Sequence, residues 1–260
     1  METKNNQFIH LIKNTFATWK MSFPSLVGIN LFLLFSSAFI PTESLTHLHL
    51  SQLDIYQFFY SQAPYFLTIF TASSAVACLS YQLVLDRIND KKICFSSLFQ
   101  SFRKNFFKVW GVFFLYLLIA GISGLIASPL IGAVVYLLKN GATWLQMTPV
   151  FVVTGLILAV PFYLLLSLML TLPVLIHEQT GVYQSVKRSS HLVSSNRVKI
   201  FAYTLLSTLS YLTMDTAFSY LLPASLKGLS PTEFLSGTLT PVFWTCVYLQ
   251  QVKRNKEIAS

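Results

Sequence analysis

The side chains able to do chemistry are few: 260 residues include nine carboxylates, five histidines and three cysteines. Of the acids, only Asp215 falls inside a long apolar run. An ionisable group in hydrocarbon costs about 3 kcal/mol at mid-depth, so its presence there is a functional expectation by default. Two uses suit it: proton coupling of a solute from a water-filled cavity, or a protonated carboxyl hydrogen-bonded to a Ser or Thr of another helix. Asp215 sits about two turns from the outer end of its run, which favours a structural role, either reaching the headgroups or making that hydrogen bond.

Intramembrane hydrolysis would need more. The sequence has no HExxH and no GxSxG elbow; Gly121-Ile122-Ser123-Gly124 has the wrong spacing, and no second aspartate pairs with Asp215 to share a proton. His47 and His49, with Glu43 and Asp54 nearby, supply two imidazoles but no defined third ligand, too few for a metal site. Glycine-rich phosphate loops are absent. The expectation is therefore no metal, no cofactor and no enzyme.

The elements that must carry these residues follow from composition. The chain is 54% hydrophobic and 10% charged, against about a quarter charged in soluble domains. Its apolar residues come in runs, and about 20 residues of helix cross roughly 30 Å of hydrocarbon. Six runs qualify: Ser22–Ile40, Pro64–Leu85, Val109–Ile131, Pro149–Leu172, Ile200–Leu222 and the short, hydroxylated Leu235–Leu249. The reading is one integral membrane domain over 1–260, an all-α polytopic bundle of about six spans. Pro129 predicts a kink or break in the third span, and Pro161 a bend in the fourth.

Charge sets the topology. Lys4, Lys13 and Lys20 precede the first span, and Arg87, Lys91, Lys92, Arg103, Lys104 and Lys108 follow the second. Lys187, Arg188, Arg197 and Lys199 follow the fourth, and Lys253, Arg254 and Lys256 the sixth, leaving Lys139 and Lys227 for the other side. This positive-inside bias predicts both termini in the cytoplasm. A net charge of +9 without a reader motif points to anionic lipid headgroups rather than nucleic acid. Cys78, Cys94 and Cys246 are too scattered for a disulfide framework and read as free thiols. The first run is read as a retained span rather than a cleaved signal, despite small residues at Ser36 and Ala38.

Basic, aromatic segments lead into three spans. Phe8, Leu11, Ile12, Thr15, Phe16 and Trp19 share one helical face, as do Phe95, Leu98, Phe99, Phe102 and Phe106, and a weaker pattern covers Val182 to Val193. Such helices are expected in the membrane interface, with Arg103, Lys104, Lys187 and Arg188 as candidate headgroup contacts. The recurrence suggests a threefold repeat over 1–86, 91–175 and 176–252. Ala120, Gly124, Ser128 and Gly132 predict a groove that admits a neighbouring backbone. The hydroxyl-rich second span suits the bundle centre.

The segment Leu172 to Tyr203 resembles the YciC family of bacterial inner-membrane proteins, which is related to the membrane region attached to some glycerophosphodiester phosphodiesterases. Pro173, Glu178, Gly181, Lys187, Arg188, Ser189, Ser190, Asn196 and Arg197 occupy the positions that carry the resemblance. The third span departs from it, with Pro129-Leu130-Ile131-Gly132 where the family tends to have a Pro-Gly pair. The resemblance implies six spans and an inner-membrane location, and it supplies no reaction. The leading expectation is a non-catalytic membrane protein that engages lipid or scaffolds a membrane-protein partner or a second copy in envelope maintenance. A small-solute or lipid transporter is the alternative.

Overall fold

The computed structural model describes residues 4–38, 55–141, 143–221 and 231–259. Among these residues it is all helix, with no strand. In chain order the helices are α1 (Lys4–Ala38), α2 (Ile55–Ile88), α3 (Phe95–Lys139), α4 (Trp144–Leu168), α5 (Thr171–Glu178), α6 (Val182–Ser194), α7 (Arg197–Leu221) and α8 (Pro231–Ala259).

Three stretches are long and apolar enough to cross a membrane: Phe66–Ile88, Phe95–Leu137 and Thr148–Glu178. They contain the second, third and fourth expected spans. The first, fifth and sixth lie in α1, α7 and α8, whose described residues hold no window of that apolarity. In α7 the dilution comes from hydroxyls such as Ser207, Thr208, Ser210, Thr213 and Thr216.

Of the kink or break expected at Pro129, no break occurs, and α3 runs unbroken for 45 residues. Proline removes the N–H that would bond the carbonyl four residues back. Here that carbonyl, Leu125, accepts a hydrogen bond from Ser128 Oγ at 3.0 Å, so the helix continues with its backbone satisfied.

Two of the three lead-in segments are likewise continuous with their spans. The face expected in the membrane interface at the start of α1 turns partly inward: Leu11, Thr15, Thr18, Ser22 and Leu26 are buried where α1 packs on α2 and α8. Small hydroxylated residues at helical spacing let those axes approach closely. At the start of α3, by contrast, Phe95 and Phe99 stay exposed. Only α6, the weakest of the three patterns, is a separate helix.

The second span takes the central place expected of it. α2 contacts α1, α3, α5 and α8, and 44% of its apolar window is buried, against 11% for those of α3 and α4. The core is concentrated at one end, where α2 finishes, α3 begins, α5 and α6 turn, α7 begins and α8 finishes; Leu83, Val84, Val112, Leu175, Leu192 and Val247 are all essentially inaccessible there. Among the described residues the small-residue groove on α3 receives no neighbour: Gly124 and Gly132 have no side chain or other helix within reach of an added Cβ, and Ala120 and Ser128 are exposed. The close approach is instead at Gly237 of α8, which faces the Asn30 side chain of α1.

Candidate functional site

The positions behind the family resemblance form the joint between α4 and α7. Pro173 occupies the first turn of α5, where its missing N–H is tolerated but its ring forbids a helix running through from α4. The chain therefore turns at Met169 and Leu170, which frees carbonyls at apolar depth. Two hydroxyls from elsewhere satisfy them: Tyr116 Oη donates to the Leu168 carbonyl at 2.7 Å, and buried Ser189 Oγ to that of Ser167 at 2.6 Å.

After α5, Gln179 adopts a left-handed conformation with φ of 52°, and Gly181 caps α6 in an extended conformation. Lys108 Nζ, from α3, donates to the carbonyls of Gln179 and Thr180 at 3.4 and 3.1 Å, and Lys104 Nζ bonds Gln179 Oε1. Cations at the C-terminus of α5 also complement its dipole. Glu178 Oε1 accepts from Tyr248 Oη at 3.1 Å and from Arg188 Nε at 3.4 Å. Buried Asn196, between α6 and α7, accepts from Arg254 Nη1 of α8. Glu178, Ser189 and Asn196 thus tie helices together, while Ser190 is half-buried on α6.

The four candidate headgroup contacts divide. Lys187 and Arg103 are exposed. Arg188 pairs with Glu178, and Lys104 is held by Gln179, so both also have work within the fold. Asp215 is exposed in the C-terminal half of α7, and the hydrogen bond to another helix expected of it is not found among the described residues. Thr213 and Thr216 beside it bond carbonyls of their own helix. Glu43, His47, His49 and most of the loop around them lie outside the described residues.

A second feature was not legible in the sequence. The N-terminus of α1, the end of α2, the start of α7 and the end of α8 enclose an open cleft of about 680 Å³. Among the described residues its walls carry Arg87, Lys199, Lys253 and Arg254 against one acid, Asp90, with His10, Gln7, Gln250 and Gln251 between them. Lys199 Nζ donates to Gln7 Oε1, and Gln250 Nε2 to the Gln7 carbonyl, each at 3.3 Å. Arg87 Nε and the Oε1 atoms of Gln250 and Gln251 are buried without a hydrogen-bond partner. Asp90 sits at the cleft because α2 ends in a left-handed turn, φ 53°, which Asp tolerates better than most residues. The chain matches no protein-family model, no curated protein and no solved structure. The geometry has to speak alone.

The described walls of that cleft are largely basic and polar. A smaller apolar groove of about 200 Å³ lies between α4, α6 and α7, lined by Tyr163, Leu166, Val193, Arg197, Val198 and Phe201. Arg197 lies over the Tyr163 ring at 5.4 Å, placing a cation beside an otherwise apolar trough.

Proposed function

We propose that the chain is a non-catalytic, multi-pass protein of the bacterial inner membrane that engages anionic phospholipid through one basic end. In this reading it crosses six times, with both termini cytoplasmic. The observation that carries it is convergence: basic segments far apart in sequence meet at the cleft, while the far halves of α3, α4 and α7 expose Leu125, Val152, Leu156 and Leu209. A cationic end joined to an apolar exposed band matches headgroups and acyl chains respectively. The Arg197 groove repeats the pairing on a smaller scale. The resemblance to the YciC family agrees with the location and the span count.

Replacing Arg103, Lys104, Lys187 and Arg188 with Gln removes charges that each attract an anionic surface by about 1 kcal/mol. Native mass spectrometry of the purified protein should then show less phosphatidylglycerol retained relative to phosphatidylcholine. Unchanged retention at low salt would overturn the lipid reading. The cleft, a polar cavity open at one end, is the observation in favour of a transporter; Asp215 does not border it.

A further inference from the structure

We propose that the groove between α4, α6 and α7 seats one anionic phospholipid of the surrounding leaflet, its phosphate on Arg197 and an acyl chain along the apolar wall. The inference rests on the lipid reading, which puts the start of α7 at headgroup depth.

Three observations support it. First, the groove lies in the last two turns of α4, the end of α6 and the opening of α7, and Tyr163, Val198 and Phe201 on its walls are exposed. In a bilayer such a trough is filled by hydrocarbon, because an empty one forfeits dispersion contacts and apolar walls offer water no hydrogen bonds. Second, Arg197 is the one charged residue lining it among the described residues. Its guanidinium lies 5.4 Å from the centre of the Tyr163 ring, which positions the cation without neutralising it. No carboxylate pairs with Arg197 among the described residues, in contrast to Arg188, which meets Glu178 at 3.4 Å. Two guanidinium N–H groups can reach two oxygens of one phosphodiester. Third, the parts stand in the order in which a lipid presents its own. Arg197 opens α7, where the helix dipole is positive, and the apolar wall follows at Val198 and at Phe201, one turn further into the span.

The volume, about 200 Å³, takes a length of acyl chain and leaves the headgroup outside. A zwitterionic lipid carries its own cation beside the phosphate, so the seat prefers phosphatidylglycerol to phosphatidylcholine.

The test uses the full chain in nanodiscs containing both lipids, with native mass spectrometry counting those that each variant retains. Arg197 is exposed and Val198 is 82% exposed, so substitutions there should leave the fold intact, which circular dichroism checks. Arg197→Gln should weaken phosphatidylglycerol retention about fivefold, the worth of one cation near an anionic surface, and Arg197→Lys should keep part of it. Val198→Trp retains the charge but fills the trough with an indole, and should weaken retention by a similar factor. Both losses together support the seat. Loss with only one of the two overturns it: Arg197→Gln alone marks a surface charge without a chain site, and Val198→Trp alone marks a trough without headgroup selection. A dimer that Val198→Trp dissociates also overturns it, by making a second copy the occupant. If neither variant changes retention while Lys187→Gln with Arg188→Gln lowers it, the groove is not the site and the broader lipid reading stands. If no variant changes it, both readings fall.

Discussion

The basic end of the bundle and its far half handle polar groups in opposite ways. At the basic end, side chains reach between helices: Ser101 Oγ donates to Gln82 Oε1 at 2.7 Å, Ser189 Oγ to the Ser167 carbonyl at 2.6 Å, and Tyr248 Oη to Glu178. In the far halves of α3, α4 and α7, Ser123, Thr154, Thr213 and Thr216 bond carbonyls of their own helix, and the surrounding apolar residues face outward. The first pattern fixes helices relative to one another. The second only lets a hydroxyl survive at apolar depth. Specificity of this fold therefore resides at one end, and the other end is built to meet a solvent of hydrocarbon.

The largest effect expected from this contrast is sidedness. Cys94 is exposed in the basic end, and Lys139 closes the far end of α3. In intact cells a membrane-impermeant thiol reagent should leave Cys94 unmodified and label a Lys139→Cys variant. Labelling of both from outside would dissolve the distinction between the ends.

Stability should divide the same way. Leu175 is fully buried and Leu125 is 77% exposed. Leu175→Ala is expected to lower unfolding stability by about 2–5 kcal/mol, a cavity cost, while Leu125→Ala in the same detergent changes it little. Equal losses in a reversible unfolding assay would show that the far half is packed against something after all.

A smaller difference should separate two serines. Ser189→Ala leaves the Ser167 carbonyl without that donor beside a helix break, at about 1–3 kcal/mol. Ser123→Ala removes a bond within a continuous helix and should be near neutral. Similar values for the two would mean that the joint between α4 and α5 is satisfied by other means.

Much of the scaffold was readable because hydropathy and charge are summed over many residues. The second, third and fourth apolar runs emerged as long helices, and the hydroxyl-rich run of α2 took the centre. What failed depended on single contacts. No break occurs at Pro129, where Ser128, one residue away, bonds the freed carbonyl, and the stripe from Ala120 to Gly132 has small residues at the right spacing but no partner among the described residues. The cleft was invisible for a related reason. Gln7, Arg87, Lys199 and Gln250 are far apart in sequence, and none has a local pattern that marks it. The basic segments could be assigned to one side, but side-chain direction at four separate helix ends could not be read. Among the candidate site residues, Glu178, Ser189 and Asn196 proved to be joints, a role that motif spacing alone does not distinguish from ligand contact.

The clasp between α1 and α8 bears on how the protein is made. Trp19 donates to Thr238 Oγ1 at 3.2 Å across 219 residues of sequence, Gln7 accepts from Gln250, and Gly237 faces Asn30. Of the described helices α1 is made first and α8 last, so α1 must wait with Thr15, Thr18 and Ser22 lacking their final neighbours on α8. The hydroxyl of Thr15 bridges that interval by bonding the Leu11 carbonyl at 2.8 Å, and Asn30 does the same with the carbonyl of Leu26 at 2.9 Å. Assembly is thereby ordered: the basic cleft, which draws on both α1 and α8, comes into existence only once α8 has been made.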